Sequence, residues 1–346
     1  MKPAVEAALI AGGVGLVTLI GTLVAQAYGI RRTSSDNKET RKQQSEQLQT
    51  TLAAQSEQLD TTLAAQREQL AATLADQREQ LDRTLAQQRD RTLNERFATA
   101  ADRLGSDKPP AVQLAGVYAM AGLADDWPKN RQTCADVLCA YLRLPYDPNP
   151  GDDAAPADRD AYRANREVRH TIIRLIATHL LPDAAVSWQG LNLDFTGVVF
   201  DGGDFTLARF SDAFIRFVGA SFVSGAVYFS GTEFSPGTVD FSRAKFSGGA
   251  VSFQFAKFSG AMVDFRGAQF SSGKIYFERA RFSGGTVNFQ LAEFSGGEVD
   301  FRGAGFSGGT VNFREPDEWS RPPRFDWDGT PPAGLLLPTN ANPTPT

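Results

Sequence analysis

Two cysteines and two histidines are the residues of this chain best suited to chemistry, and neither pair has the spacing of a known site. Cys134 and Cys139 lie five residues apart in CADVLCAYLR, which predicts a helix. This is not a metal-binding spacing, so we expect two small core residues in a reducing compartment. His170 and His179 lie nine apart on another predicted helix, without an acid or nucleophile pattern around them. We expect ordinary surface or boundary histidines.

Other chemical motifs are missing from the sequence. It contains no Walker A loop, dinucleotide fingerprint, catalytic triad pattern or metal-binding cluster. The sequence therefore predicts no catalytic, cofactor-binding or metal-binding residues, no cofactor and no enzymatic activity. The net charge of −5 gives no basic character, so no nucleic-acid partner is expected.

The stretch 4–30 is almost entirely apolar or small and predicts a transmembrane helix. From Ala7 to Ile30 it carries no charge, and this length crosses a hydrocarbon core of about 30 Å. Arg31 and Arg32 follow directly. Because basic flanks stay in the cytoplasm, we expect a single-pass plasma-membrane protein with a cytoplasmic C-terminal body. The alternative is a signal peptide cleaved after Ala25–Ala27.

Residues 41–96 are predicted to form a coiled coil, because an eleven-residue unit repeats from Gln44 to Gln87. The unit appears as QSEQLQTTLAA, QSEQLDTTLAA, QREQLAATLAD and QREQLDRTLAQ, and its leucines alternate spacings of four and seven. Such a period favours a right-handed supercoil. One helix cannot bury so narrow a stripe, so we expect a parallel homo-oligomer of undetermined chain number. The alternative is a single solvated helix.

Residues 97–182 are predicted to form a small all-α domain. A helical spacing continues through Leu93, Phe97, Ala100 and Leu104 until GSDKPP stops it. Two more helices are predicted from apolar spacing, through Val112, Leu114, Val117, Tyr118 and Leu123, and through Thr133, Val137, Leu138, Tyr141 and Leu142. A fourth is predicted from about Arg159 to Leu181, after a loop rich in proline and aspartate.

Phenylalanine recurs through residues 188–313 at a regular spacing. The steps from Phe195 to Phe210 are of five residues, and later steps alternate between seven and five up to Phe313. A small or β-branched residue precedes most of these phenylalanines by two positions, as in AKF and VSF. Since side chains alternate along a strand, both residues of each pair point to one side. This self-similarity predicts a solenoid with a core of stacked rings.

A central phenylalanine, a small residue two positions earlier and a step of five resemble the pentapeptide-repeat family over about Leu191–Phe313. The whole chain also looks like a recurring group of actinobacterial membrane-associated proteins of that family. The resemblance implies a right-handed quadrilateral β-helix with four repeats to a coil. Because every second unit after Phe210 gains two residues, we expect a 24-residue coil with Gly-rich pairs bulging at two corners. Two expected columns of stacked rings are Phe246, Phe270 and Phe294, and Phe241, Phe265, Phe289 and Phe313.

The ends of a solenoid need covering. The helix ending at Leu181 and Trp188 are expected to cover the first coil, and Trp319, Phe325 and Trp327 the last. Residues 314–346 are thus predicted to be a cap followed by a disordered tail, TPPAGLLLPTNANPTPT. The predicted fold class is mixed: a transmembrane helix, a coiled coil, an all-α domain and a β-helix.

Three functions are compatible with this organisation. The first is a membrane-anchored scaffold that presents a rigid β-helix to an unidentified protein partner. The second, implied by the resemblance, is a DNA-mimicking inhibitor or protector of gyrase. Residues Leu191–Phe313 hold eleven acids and ten bases, a poor imitation of a polyphosphate backbone. The third is a ligand sensor that signals through its helices. The sequence leaves the partner, the ligand and the binding face undetermined.

Overall fold

The computed structural model describes residues 38–105, 107–148, 150–151, 153–327 and 330–339. The chain divides into two compact units, Met1–Leu85 and Ala86–Thr346. The transmembrane helix predicted at 4–30 lies outside the described residues. Within the described ranges, no helix combines the length and the apolar character that crossing a bilayer requires.

Helices dominate the first half of the described chain. They are α1 (Lys38–Arg103), α2 (Pro110–Asp126), α3 (Arg131–Leu142) and α4 (Pro156–His179), with a 3-10 turn at Pro128–Asn130. Proline opens α2 and α4, where its fixed φ suits a helix start and its missing N–H costs nothing. The four predicted helical patterns are confirmed, but α1 continues unbroken through the boundary predicted between residues 96 and 97.

The end of α1 packs with α2, α3 and α4 in one apolar core. Leu93, Ala100 and Leu104 are at most 6% exposed, as the helical spacing predicts. In contrast, Tyr118 belongs to the spacing that predicted α2 but is 54% exposed. Because α2 carries no charge before Asp125, its apolar pattern does not identify its inner face.

The second half is a parallel β-solenoid of about six turns. Its short strands are, in chain order, β1 (Leu193–Asp194), β2 (Val199–Phe200), β3 (Gly203–Asp204), β4 (Arg209–Phe210), β5 (Phe214–Arg216), β6 (Ser221–Phe222), β7 (Ala226–Tyr228), β8 (Glu233–Phe234), β9 (Thr238–Asp240), β10 (Lys245–Phe246), β11 (Ala250–Ser252), β12 (Lys257–Asp264), β13 (Gln269–Phe270), β14 (Lys274–Tyr276), β15 (Arg281–Asn288), β16 (Glu293–Phe294), β17 (Glu298–Asp300), β18 (Gly305–Phe306), β19 (Thr310–Asn312) and β20 (Leu335–Leu336).

Each regular coil places one strand segment on each of four faces. One face is the sheet β2-β6-β10-β13-β16, and another is β3-β7-β11-β14-β17. The other two faces share a sheet, because the long strands β12 and β15 run around the corner between them. Phe246 pairs with both Phe222 and Phe270, so the predicted 24-residue coil is confirmed. The first coil is shorter, since Leu193 pairs with Ile215.

The predicted aromatic columns are confirmed. Phe246 and Phe270 stack with ring centroids 4.8 Å apart and planes 3° from parallel, and Phe265 stacks on Phe289 at 4.7 Å and 4°. Rings of adjacent columns meet edge to face, as for Phe265 and Phe277 at 6.1 Å and 83°. Offset stacks and edge contacts are both favourable for aromatic rings. The rings are fully buried, so they form the core of the solenoid.

Left-handed backbone occurs at more corners than the sequence predicts. Gly249 in a Gly-rich pair has φ +65°, and a Cβ there would lie 2.3 Å from the carbonyl oxygen of Gly225. However, at another corner of the coils larger residues adopt the same left-handed backbone conformation: Leu207 has φ 61° and Phe255 has φ 59°. Both side chains are more than half exposed. The solenoid therefore holds non-glycine residues in a conformation that costs about 1–2 kcal/mol each.

Aspartate and asparagine stabilise these corners. Asp240 accepts a hydrogen bond from the N–H of Ser242 at 2.8 Å, and Asn288 accepts one from the N–H of Gln290 at 3.0 Å. Such side chains satisfy turn N–H groups that a short strand leaves unpaired. The residue before a core phenylalanine thus has a structural role, although it points outwards.

Arginines of the helical region cover the exposed edge of the first coil. Arg143 donates to the carbonyl oxygen of Asp194 at 2.8 Å, and Arg169 donates to that of Val199 at 3.0 Å. Helix α4 packs against β3, which confirms that this helix covers the first coil. An uncovered edge presents unpaired carbonyl groups, and the arginine side chains here replace the N–H groups of a preceding coil.

The C-terminal cap is confirmed, but part of the tail predicted to be disordered is ordered. Trp319 contacts the ring of Phe294 at 5.1 Å, and Phe325 stacks on Phe301 at 5.2 Å. Strand β20 pairs with β19, and Leu335 is 6% exposed. The reason is that GLLL places Leu335 one coil after Val311, so the tail retains the alternation of the solenoid despite its proline and threonine content.

Candidate functional site

The structure brings a carboxylate to each histidine of α4. His170 Nε2 lies 2.8 Å from Asp201 Oδ1, and His179 Nε2 lies 3.2 Å from Asp125 Oδ2. The two side chains are 20% and 14% exposed, as expected of boundary histidines. The pairing of these histidines with acids was not predicted, because both acids come from distant segments of the chain.

Asp201 is the centre of the larger polar cluster. It is 4% exposed, and its Oδ2 accepts hydrogen bonds from the hydroxyls of Tyr146 at 2.7 Å and Tyr162 at 2.9 Å. Arg166 donates from Nε to the same oxygen at 3.0 Å and from Nη2 to the Asp201 carbonyl at 3.3 Å. We name these four residues, together with His170, the Asp201 cluster. It joins the loop after α3, helix α4 and the first coil.

Charge within the Asp201 cluster is strongly stabilised. Burial acts to raise the pKa of Asp201, but hydrogen bonds from His170, Tyr146 and Tyr162 outweigh it and hold that pKa well below its usual value. Burial raises the pKa of Tyr146, and its bond to Asp201 raises it further. The Asp201 carboxylate therefore stays ionised and the Tyr146 phenol stays protonated. Groups that keep one protonation state suit a structural contact rather than proton transfer.

A second cluster surrounds Asp125 at the end of α2. Its Oδ1 accepts a hydrogen bond from the indole N–H of Trp188 at 2.9 Å. The Trp188 ring stacks on His179 with centroids 4.2 Å apart and is fully buried. Trp188, predicted to cover the first coil, thus also ties α2 to the end of α4.

A cleft of about 470 Å³ opens beside the Asp201 cluster, between α4 and the face that contains β3 and β7. From α4 it is lined by Arg166, His170 and Arg174, and from the solenoid by Asp204 and Tyr228. Gly202 and Gly203 allow α4 to lie close to the first coil. A Cβ on Gly202 would lie 2.9 Å from Cε1 of His170, and one on Gly203 would lie 3.3 Å from Ile173. Larger residues at these two positions would push α4 away from the solenoid.

The leucine stripe of α1 is a candidate surface for association with another helix. In the single chain its leucines are exposed by 41–60%: Leu52, Leu59, Leu63, Leu70, Leu74, Leu81 and Leu85. The segment is one continuous helix, as predicted. Exposed leucines in a regular row are characteristic of a surface that pairs with another helix.

The two cysteines lie inside the helical core. Cys134 and Cys139 are at most 1% exposed and are not joined in a disulfide. Burial raises the pKa of the Cys134 thiol to about 11 and that of Cys139 to about 12. Both therefore stay protonated and unreactive at neutral pH. Over the part of the chain that the structure describes, no group of three or more His, Cys, Asp or Glu residues is arranged to hold a metal ion.

In comparisons with known proteins, no protein-family model, curated protein or solved structure matches this chain. The resemblance to pentapeptide repeats therefore depends on the spacing of its phenylalanines and on the stacked coils of its solenoid.

Proposed function

We propose that this chain is a non-enzymatic scaffold of the pentapeptide-repeat type, anchored in the plasma membrane by residues 4–30, with its C-terminal body in the cytoplasm. In this proposal α1 assembles several copies in parallel, and each copy presents a rigid, right-handed β-helix to a protein partner. The observation that carries the proposal is the row of exposed leucines on α1, because seven such side chains on one helix favour association with other copies.

The solenoid supports the scaffold role through its rigidity and its surface. Fully buried stacked rings fix every coil against the next, so the outer faces keep a defined shape. Leu207 and Phe255 project from one corner into solvent, where apolar side chains can contact a partner. Several copies joined through α1 would raise the avidity for the partner through effective concentration, so a weak contact between each copy and the partner would suffice.

The charge arrangement makes the scaffold a better proposal than DNA mimicry. Asp264 is 9% exposed at its side chain and lies 2.6 Å from Arg266. Asp300 is 1% exposed and lies 2.6 Å from Arg302. A surface that imitates DNA must present unneutralised negative charge at short intervals, whereas these acids are covered by arginines two residues later.

Association through α1 is expected to disappear when its leucine row is made polar. A chain beginning at Arg41 should sediment as an oligomer, and replacing Leu59, Leu63, Leu70 and Leu74 with serine should leave monomers. A matched control replaces Gln47, Gln58, Gln69 and Gln80 with serine on the same helix, off the stripe, and should keep the oligomer. Sedimentation equilibrium measures all three. A monomeric parent chain would contradict the proposal.

Membrane anchoring is expected to depend on residues 4–30. The full-length chain should remain with membranes after alkaline washing, and deletion of 4–30 should release it, because an uncharged apolar helix of this length partitions into the bilayer. Protease added to intact cells should leave the C-terminal body undigested. A mature protein that begins near Tyr28, or digestion of the body, would instead support cleavage and export.

A further inference from the structure

The cleft beside the Asp201 cluster has the dimensions of a ligand site. Its volume is about 470 Å³, within the usual range for sites that bind small molecules. One wall is helix α4 and the other is the first strands of a solenoid face, β3 and β7. Both walls are held by buried side chains and hydrogen bonds, so the cleft exists before any ligand binds.

Basic side chains dominate the α4 wall. Arg166, His170 and Arg174 line the cleft at intervals of four residues, which places them in one row on the helix. Arg166 is fixed by its bonds to Asp201, and Arg174 donates to the hydroxyl of Thr171 at 2.9 Å. A guanidinium has five N–H donors, and the side chains of Arg166 and Arg174 remain 40% and 57% exposed. Both can therefore donate to a ligand without leaving their present positions.

The carboxylates near the two arginines are already engaged in contacts within the protein. Asp201 is buried, and its oxygens are already occupied by the cluster. Glu167 lies 3.6 Å from Arg174, with 59% of its side chain exposed, and does not line the cleft. Asp204 lines the cleft, and its Oδ1 accepts the N–H of Thr206 at 2.9 Å. Arg166 and Arg174 thus each pair with a carboxylate but keep exposed N–H donors beside the cleft, and such donors suit a ligand that carries an anionic group.

The cleft also contains apolar side chains and an aromatic ring. Ala177 and Leu181 follow Arg174 along the chain, and Tyr228 lies on the solenoid wall. Tyr228 is 45% exposed, so its ring has a free face on which a flat group can stack. The cleft therefore combines an anion-binding region with an apolar region that accepts a ring.

We propose that this cleft binds a small organic anion that carries one phosphate or carboxylate group and a flat ring, of about the size of a nucleoside monophosphate. The Arg166 and Arg174 guanidinium groups would hold the anionic group, and Tyr228 would stack on the ring. The proposal is independent of oligomerisation through α1, because every residue that it uses lies in α4 or in the first coils.

Calorimetric titration of the purified full-length chain tests the proposal with four probes. Adenosine 5′-monophosphate and indole-3-acetate each combine a ring with an anionic group, one a phosphate and the other a carboxylate. Adenosine and inorganic phosphate each offer only one of the two features. We expect at least one combined probe to bind at least about tenfold more tightly than both single-feature probes, because a hydrogen bond to a charged group contributes about tenfold or more. Comparing the two combined probes distinguishes phosphate from carboxylate.

Three variants locate the binding. Arg174→Gln and Tyr228→Ala should each weaken the bound probe by about tenfold, while Asp204→Asn should strengthen it by removing a repelling charge. Arg314→Gln, an exposed arginine on a distant coil, is the matched control and should leave affinity unchanged. Thermal melting verifies that each variant is folded. No saturable binding of a combined probe, equal binding of adenosine, or affinity unchanged in both Arg174→Gln and Tyr228→Ala would overturn the proposal.

Discussion

Phe289→Ala is expected to lower the free energy of unfolding of the solenoid by roughly 3–5 kcal/mol, the range for truncating buried aromatic side chains. The Phe289 ring is fully buried and stacks between Phe265 at 4.7 Å and Phe313 at 4.5 Å. Edge contacts to Phe277 and Phe301 surround it. Because backbone pairing holds the coils at fixed spacing, neighbouring rings cannot move together to fill the cavity.

The matched control for this prediction is Gln290→Ala on the next residue. Its outward side chain forms hydrogen bonds at 3.2 Å with Asn288 and at 3.4 Å with Glu315 near the surface, where water can replace these partners, so we expect a change within about ±0.5 kcal/mol. Urea unfolding followed by circular dichroism measures both variants. Tryptophan fluorescence gives a second probe, since Trp319 contacts Phe313. Similar losses at the two positions would show that the inward and outward assignments are wrong.

Asp201→Ala is expected to destabilise the junction between α4 and the first coil by about 3 kcal/mol. Removing one partner of a buried ion pair costs about 3–5 kcal/mol, and the lower end applies because Arg166 is 40% exposed and can be solvated again. Tyr146 and Tyr162 would also lose their acceptor. Asp204→Asn is the control: the amide oxygen can still accept the Thr206 N–H, and little change is expected.

The same carboxylate predicts a dependence of stability on acid. Because the folded protein holds the pKa of Asp201 below its unfolded value, its contribution is present above about pH 4 and is lost as pH falls towards the folded pKa. In Asp201→Asn this loss should be absent, so the decline in stability below pH 4 should be shallower than in the parent chain. Thermal melting between pH 2.5 and pH 7 measures the difference, with Asp204→Asn as the reference. Parallel curves for the Asp201 variant and the parent would contradict this assignment.

The architecture of the solenoid was predictable from the sequence because its information is local and repeated. The spacing of Phe246, Phe270 and Phe294 specifies both the 24-residue coil and the stacking partners. The leucine spacing similarly predicted helix α1 but not its partner, since a single chain leaves the stripe exposed. Strand β20 was not predicted, because the proline and threonine around GLLL are typical of a disordered tail.

The Asp201 cluster was not predictable, because each of its contacts joins residues 31–55 positions apart. One signal was nevertheless present in DGGDF. Gly203 stands two positions before Phe205, where most repeats have alanine or a β-branched residue. A Cβ at Gly203 would lie 3.3 Å from Ile173, so the glycine marks the place where a helix replaces a preceding coil.

The 24-residue pairing of the coils has a consequence for how such a chain can change over evolutionary time. Inside the solenoid each coil pairs with the coils directly above and below it, and the inward-facing columns of phenylalanine continue from coil to coil. In-frame duplication or loss of one complete coil would therefore join matching faces and preserve every stack. An insertion of one residue inside a strand would instead turn the phenylalanine of that strand outwards, because side chains alternate between the two faces of a strand. Genetic variation in this half of the protein is thus channelled into whole coils, and homologous chains are expected to differ in solenoid length by multiples of that unit.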